Sequence, residues 1–569
     1  MRHWKLLSLL ALVVVAALHY RSTPLAIWEF DEPFFAMGIE HYQPMLHHPP
    51  PPGYPLYMGF GKLVALFTGD PFRALLVTSI IAVAAGLVAF TFAFREISGS
   101  LTTGVLATTL LYASPAVLVS GTLPQSDAGA LALFGIAIWA CARGNPIAMA
   151  LACAAAVGWR VQFSIAVVPM FLVAVLLLKT WRDRVNALAT FAGGCLLWLV
   201  PLLVATEGLE GFWKMMSGQA AYYARHDADL SRSGYSPSQI ALRFLAHPWG
   251  PKWLSLPLLA VALAGIRKNR KLLPIAAGAL VYFAFALATM DPGDAVRYAI
   301  PGLPLIAILA AIALASIPFE AVVIAGAAAY VMGAYLYSVP VIRTRNDLVA
   351  PPTAAAQWIR ANVPKHAVVL YDMPLRPHAE YLLRGWKVMR VDAGLLRYGA
   401  ELSVPIVLLA DGERGNAPGQ TFRWPDTDAY RKLTRQHYGA VSVIPMRSVE
   451  RFRVIEGVHA PERTREGLTW RWLGAKGVLE LPNLGAKSVR VVLRTPPEYP
   501  LDENRVTIEG TTVTLRRNET KEALVPLTSN RITIVPEKTF VPAKLPGSNN
   551  RDPRTLSVML VAIEQIDPQ

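Results

Sequence analysis

Apolar runs that follow one another from Leu6 to about Pro340 constrain this chain more than anything else in it. A bilayer core needs roughly 20 apolar residues per helix, and only helices or closed barrels satisfy their own backbone there, so these runs predict membrane-crossing helices. They read as Leu6–Tyr20, Pro71–Phe94, Leu101–Ser120, Asp127–Ala142, Pro146–Gly158, Phe163–Leu178, Val185–Ala205, Trp253–Ile266, Leu272–Met290, Tyr298–Ser316 and Phe319–Val339, eleven spans in all. The first resembles a signal peptide, but Leu18-His19-Tyr20-Arg21 offers no small-residue cleavage site, so an anchor is expected. Tyr54–Thr68 is apolar but short and holds Pro55, Gly59, Gly61 and Lys62; it predicts a juxtamembrane helix at the interface.

Charge gives the sidedness. Alternate loops hold Arg95, Arg143, Lys179–Arg184 and Arg267–Lys271, all short and basic and all on the side of the N-terminus. The positive-inside rule makes that side cytoplasmic. The longer, opposite loops hold the acids Asp31, Glu32, Asp127, Asp227, Asp229, Asp291 and Asp294. Eleven spans then put the rest of the chain outside. The formal net charge of +15 does not point to nucleic acid, because the longest basic run is Arg267-Lys268-Asn269-Arg270-Lys271, between two spans. Cys141, Cys153 and Cys195 all lie in apolar segments, which leaves no disulfide framework for the remainder.

Beyond Arg343 the chain reads as soluble. Helical spacing (Ala354–Asn362, Pro377–Gly385, Asp426–Tyr438) alternates with short apolar strands (Ala367–Tyr371, Lys387–Val391, Val404–Ala410, Ala440–Ile444). That alternation predicts a small three-layer α/β unit, with Asp426 or Thr427 capping its last helix. From about Val454 only short strands follow: Leu468–Leu473, Gly477–Leu481, Ser488–Leu493, Arg505–Ile508, Thr511–Leu515, Arg531–Ile534 and Leu556–Ile563. They predict a β-sandwich with Trp470 and Trp472 in its core. The expected organisation is a membrane domain at 1–345, an α/β domain at 346–450 and a β-sandwich at 451–569.

Candidate chemistry collects on the outer face. Asp31 and Glu32 open the helical sequence Asp-Glu-Pro-Phe-Phe-Ala-Met-Gly, with Asp31 as cap and Pro33 in the first turn. Carboxylates fixed at a membrane surface suit general base chemistry. His47 and His48 precede four prolines, expected to be stiff and extended. Arg160, Arg297 and Lys62 suit a lipid phosphate, since a guanidinium forks onto phosphate oxygens. Each arginine is equally explained as a snorkelling span end. Asp127 reads as a helix cap or as a second acid holding the site, and Asp291 and Asp294 as caps. The loop Thr206–Pro251, with Trp213, Tyr222, Tyr223, His226 and Asp227, is long enough to suggest an acceptor site or lid. No HExxH, Gly-x-Ser-x-Gly or Walker-type sequence occurs, which disfavours hydrolases and ATP-driven pumps.

Phe30-Asp31-Glu32-Pro33, His48-Pro49-Pro50 before Gly53-Tyr54-Pro55-Leu56-Tyr57, Ser126-Asp127, and Arg297-Tyr298-Ala299-Ile300-Pro301-Gly302-Leu303-Pro304 occur in that order on one side. Over residues 1–340 the set resembles the GT-C superfamily of polytopic glycosyltransferases, in particular bacterial relatives of protein O-mannosyltransferases and the aminoarabinose transferases of lipid A. It departs from the common pattern at Pro33 and in the four prolines after His48. The resemblance implies an acceptor-activating carboxylate at Asp31, with Glu32 as understudy, a polyprenyl-phosphate sugar as donor, and inversion at the anomeric carbon. The donor phosphate would be held by Arg160, Arg297, Lys62, His47 and His48, with Asp127, Tyr54, Tyr298 and His226 in support. Gly457–Glu462, Trp470-Arg471-Trp472 and Asp552–Leu556 look like the β-sandwich appended to some bacterial relatives. The expected setting is a bacterial inner membrane, with the membrane lipid and a lipid, glycan or protein acceptor as partners. The sequence leaves the sugar and any divalent metal open. The rival reading is a transporter, or a non-catalytic envelope assembly protein, with a periplasmic receptor domain. Transport favours charges deep within spans, whereas here they sit at one face.

Overall fold

The computed structural model describes residues 2–224, 232, 234–391, 405–412, 419–424, 428–434, 439–446, 452–463, 469–481, 488–546 and 550–566. They form two compact units, Met1–Thr353 with Trp424–His437, and Ala354–Arg423 with Tyr438–Gln569.

The first unit is helical. Its elements are α1 (Arg2–Arg21), α2 (Glu32–Glu40), α3 (Pro55–Thr68), α4 (Pro71–Ser98), α5 (Leu101–Ala113), α6 (Pro115–Ser120), α7 (Asp127–Arg143), α8 (Pro146–Trp159), α9 (Ser164–Leu176) and α10 (Trp181–Ala205). There follow α11 (Leu209–Tyr223), α12 (Pro237–Leu245), α13 (Lys252–Ala264), α14 (Leu273–Thr289), α15 (Ala295–Tyr298), α16 (Leu303–Leu314) and α17 (Glu320–Asp347). Tight turns join them for a local reason. Gly99 and Gly144 end α4 and α7 in the left-handed region, where a Cβ is costly, and the next residue caps the following helix. Ser100 accepts from Thr103 N–H and Asn145 from Ala148 N–H.

Among the described residues four helices are long and apolar enough to cross a bilayer, and a pair bent by 43°, Pro292–Tyr298 with Ile300–Leu314, makes a fifth. Shorter apolar helices accompany them. The chain is a multi-pass membrane protein. Two expected spans are interrupted. Leu101–Ser120 breaks at Ser114, because Pro115 cannot continue the helix, and Tyr298–Ser316 breaks around the 3-10 turn Ile300–Gly302. The helix α3 has 14 residues, about 21 Å at 1.5 Å each, short of the roughly 30 Å core. Leu63, Leu66 and Phe67 are exposed along it, as an interfacial helix requires.

The second unit holds α18 (Pro351–Asn362, from Ala354 onward), α19 (Arg376–Leu382) and strands β1 (Val368–Tyr371), β2 (Lys387–Arg390), β3 (Ile406–Asp411), β4 (Gln420–Arg423) and β5 (Ala440–Met446). The sheet order is β2-β1-β3-β5-β4, parallel across β1, β2 and β3 and antiparallel at β5 and β4. The third expected helix, α20 (Asp428–Leu433), clusters with the helical unit, so the layer it would supply is absent here. Its expected caps, Asp426 and Thr427, lie outside the described residues.

The remaining strands are β6 (Arg453–Arg463), β7 (Thr469–Glu480), β8 (Ser488–Arg494), β9 (Glu503–Ile508), β10 (Thr511–Arg516), β11 (Thr520–Pro526), β12 (Arg531–Pro536) and β13 (Met559–Ile566). All pairings are antiparallel, along β10-β9-β12-β7-β13-β8-β11 with β6 on β7. Two separate sheets were expected; hydrogen bonding makes one continuous sheet, with one apolar cluster spanning its strands. Leu468–Leu473 and Gly477–Leu481 fuse into the long β7. Trp472 lies in that cluster and Trp470 packs against it, as expected.

Candidate functional site

The first external loop brings Asp31 to the start of α2, with Pro33 in the first turn. Its side chain does not cap the helix. Asp31 has helical angles (φ −80°, ψ −20°), whereas a capping side chain folds back from an extended residue. The carboxylate stands instead 3.9 Å from Arg297 Nη1.

Arg297 belongs to α15, the short arm of the broken span, and three acids surround it. Its Nε donates to Asp127 Oδ2 at 3.0 Å, and its Nη1 lies 3.9 Å from both Asp31 and Asp294. No partner is seen for Nη2 among the described residues. Asp127, in the first turn of α7, is the pin of the cluster: its other oxygen, Oδ1, meets Arg160 Nη1 at 2.7 Å. Arg160 ends α8 in an extended conformation, and it also donates to Ser126 Oγ and to Gln162 Oε1 at 3.1 Å each. Trp159 Nε1 ties the same turn to Ser126 O. Side-chain exposure is 3% for Asp127 and 5% for Arg160, but 35% for Asp31 and 15% for Arg297. The arrangement is therefore a buried pin under a half-open acid–cation pair.

Aromatic rings wall it. Phe35 meets Tyr54 and Tyr57 edge-on at 5.0 and 5.3 Å, and Tyr57 leans on Trp159 at 5.5 Å. Burial raises the pKa of Tyr54, a group close to Arg160 and Asp31. Tyr298 is half-buried beside Arg297.

Glu32 turns the other way. It is fully buried, accepts from Trp28 N–H at 2.7 Å through Oε2, and has no partner for Oε1 among the described residues. Burial, with Glu29 nearby, pushes its pKa up to about 8. His47 and His48 lie against Phe34, with ring centroids 6.0 Å apart. The prolines after them are not the extended rod expected: Gly53 N–H donates to Pro50 O, closing a turn. Lys62 is exposed, 5.8 Å over the Tyr42 ring. His226 lies outside the described residues. Asp291 caps a turn, accepting from Gly293 N–H, as expected.

A second buried ion pair escaped sequence reading. Arg345, in the last turn of α17, meets Glu29 at 2.7 Å and donates to Val119 O. Trp28 packs on Trp424 at 4.9 Å, and Trp424 on Tyr430 of α20 at 5.5 Å. The start of the first loop, at Trp28 and Glu29, is thus held by α17 and by Trp424. Among the described residues no three His, Cys, Asp or Glu side chains are grouped as metal ligands.

No family model and no curated protein matches the chain. Solved structures do. ArnT from Cupriavidus metallidurans, bound to undecaprenyl phosphate, is similar at a TM-score of 0.51 and 13% identity, covering 78% of this chain and 98% of that one. The apo oligosaccharyltransferase of Archaeoglobus fulgidus reaches a TM-score of 0.48 at 10% identity, covering 99% and 97%. The expected GT-C-type fold is the fold found.

Proposed function

From that fold and the cluster it holds, we propose an integral-membrane glycosyltransferase that moves a sugar from a polyprenyl-phosphate carrier to an acceptor hydroxyl outside the cytoplasm. The observation that carries the reading is the run Asp31–Arg297–Asp127–Arg160, in which residues from four separate segments meet with the outer pair open and the inner pair buried. A glycosyl transfer needs a carboxylate for the acceptor proton and a cation for the leaving phosphate, within one substrate's reach. The fold similarity to an undecaprenyl-phosphate-bound transferase supports the choice of donor.

Asp31 takes the proton as the acceptor oxygen attacks the anomeric carbon. The bond from that carbon to the phosphate oxygen breaks, the configuration inverts, and the electron pair leaves on the polyprenyl phosphate. Arg297 neutralises that phosphate through the guanidinium edge left open. Asp127 and Arg160 hold Arg297 in place. Lys62, His47 and His48 are secondary contacts to the donor, and Tyr54 and Tyr298 support the site. Glu32 keeps the loop rather than the proton. Eleven crossings, a cytoplasmic N-terminus and the three-part division at 345 and 450 complete the reading.

The test uses the purified full chain in proteoliposomes with a panel of polyprenyl-phosphate sugars. Asp31→Asn should lower transfer by about 10²–10⁴, as loss of a general base does. Unchanged turnover removes Asp31 from the chemistry, and no transfer by the unmodified protein from any such donor overturns the reading.

A further inference from the structure

A second group of cations stands where the proposed transfer does not reach. The 17 residues of α7 separate Asp127 from Arg143 by about 25 Å, nearly the depth of a bilayer core. At that far end Arg143, Arg95 and Lys271, with Phe92, Glu96 and Trp139, line a cavity of about 520 Å³. We propose that this cavity binds the phosphate of an anionic phospholipid of the facing leaflet, independently of the transfer reaction.

Charge favours it. Lys271 Nζ pairs with Glu96 Oε1 at 2.5 Å, so those two cancel. Arg95 and Arg143 have no carboxylate partner among the described residues, and two guanidinium forks suit phosphate oxygens. A helix C-terminus would normally repel an anion. Here three of the last four carbonyls of α4 are already covered: Asn269 Nδ2 donates to Ile97 O, Lys271 Nζ to Glu96 O, and Gly99 N–H to Arg95 O.

A lipid fits better than a free anion. Phe92 and Trp139 stack at 5.6 Å with 28° between their planes, and Arg143 lies 5.7 Å over Trp139. Such rings sit at headgroup level in membrane proteins. From Phe92 the exposed Val88 and Ile81 follow at spacings of four and seven, one continuous stripe along α4. An acyl chain laid on that stripe delivers its phosphate to Arg95.

The full-length protein in a neutral detergent would be titrated with phosphatidylglycerol, phosphatidylcholine and inorganic phosphate, with bound lipid read by native mass spectrometry. Phosphatidylglycerol should bind in preference to the zwitterionic lipid, and inorganic phosphate should not displace it. R95A/R143A should weaken that binding about thirtyfold, from the worth of two basic residues near an anionic headgroup, while R95K/R143K retains most of it. If the alanine pair does not fold, R95Q/R143Q gives the same reading. Equal binding of both lipids, displacement by inorganic phosphate at comparable concentration, or neutral variants that bind as tightly as the parent would each overturn the site.

Discussion

Asp127 touches both arginines, so it should matter to folding as well as to transfer. Asp127→Asn leaves Arg160 and Arg297 without their shared counter-charge, one of them almost wholly buried. Breaking a buried pair from one side costs about 3–5 kcal/mol, so thermal unfolding should fall clearly and activity with it. An unchanged melting temperature would mean the pin is idle. Glu32 gives a separate handle through pH. Its folded pKa, about 8, lies above the ordinary carboxyl value of 4.5, because burial disfavours the charged form. The native state therefore holds a proton that the unfolded chain releases, and stability present below pH 4.5 declines as pH rises through about 8. Glu32→Gln mimics the neutral acid and should flatten that decline in a melting series from pH 5 to 8.5; parallel curves for both proteins would refute it. These two residues mark what a sequence can say. Asp31, Asp127, Arg160 and Arg297 are legible because acids and cations at span ends on one side are costly to keep without use. Which acid holds which arginine is not, since the partners lie far apart in the chain. Nor is the divergence of Asp31 and Glu32, which adjoin in sequence and point into different surroundings. Arg345 was hidden by its position just after the last apolar run, where it read as the start of the soluble half.

Helix packing offers its own test. A Cβ at Gly278 of α14 would run into the backbone carbonyl of Ala166 in α9, which has no flexible end to yield, whereas Gly193 in α10 faces open space. Gly278→Ala should destabilise by about 1–3 kcal/mol as the helices part, and Gly193→Ala should be neutral or stabilise by up to about 1 kcal/mol. Melting temperatures in detergent separate the two, and equal shifts would deny the close approach. Most of the apolar helices were readable to within a few residues, because lipid demands unbroken apolar length, although α17 runs on to Asp347, eight residues past the expected Val339. Their interruptions at Ser114 and around Ile300 are written in nearby prolines, but a proline within an apolar run is as often absorbed as obeyed. The strands that sequence reading missed, β4, β6 and β11, each have a single strand neighbour. A strand at an edge need bury little. Along β11 only Ala523 and Val525 are buried, and the exposed Leu524 between them and the charged Lys521 and Glu522 before them leave no alternating pattern to read.

Everything chemical in the helical unit depends on two faces being kept apart. Asp31, Asp127 and Arg297 come from three segments and meet at one end of α7, while Arg95, Arg143 and Lys271 gather at the other. A helix of that length has no room to fold back, so the loops next to these groups should open on opposite sides of the bilayer. Met45 is exposed beside the first cluster and Lys268 beside the second. With Cys141, Cys153 and Cys195 replaced by serine, Met45→Cys should react with an impermeant thiol reagent in sealed vesicles of one orientation, and Lys268→Cys only in the other. In the orientation proposed above, Lys268 lies on the cytoplasmic side. Reaction of both from a single side would place the acids and the basic loops in the same compartment. Transfer from a carrier in the outer leaflet would then lose its site, because a carboxylate on the cytoplasmic face cannot reach a sugar presented across about 30 Å of hydrocarbon.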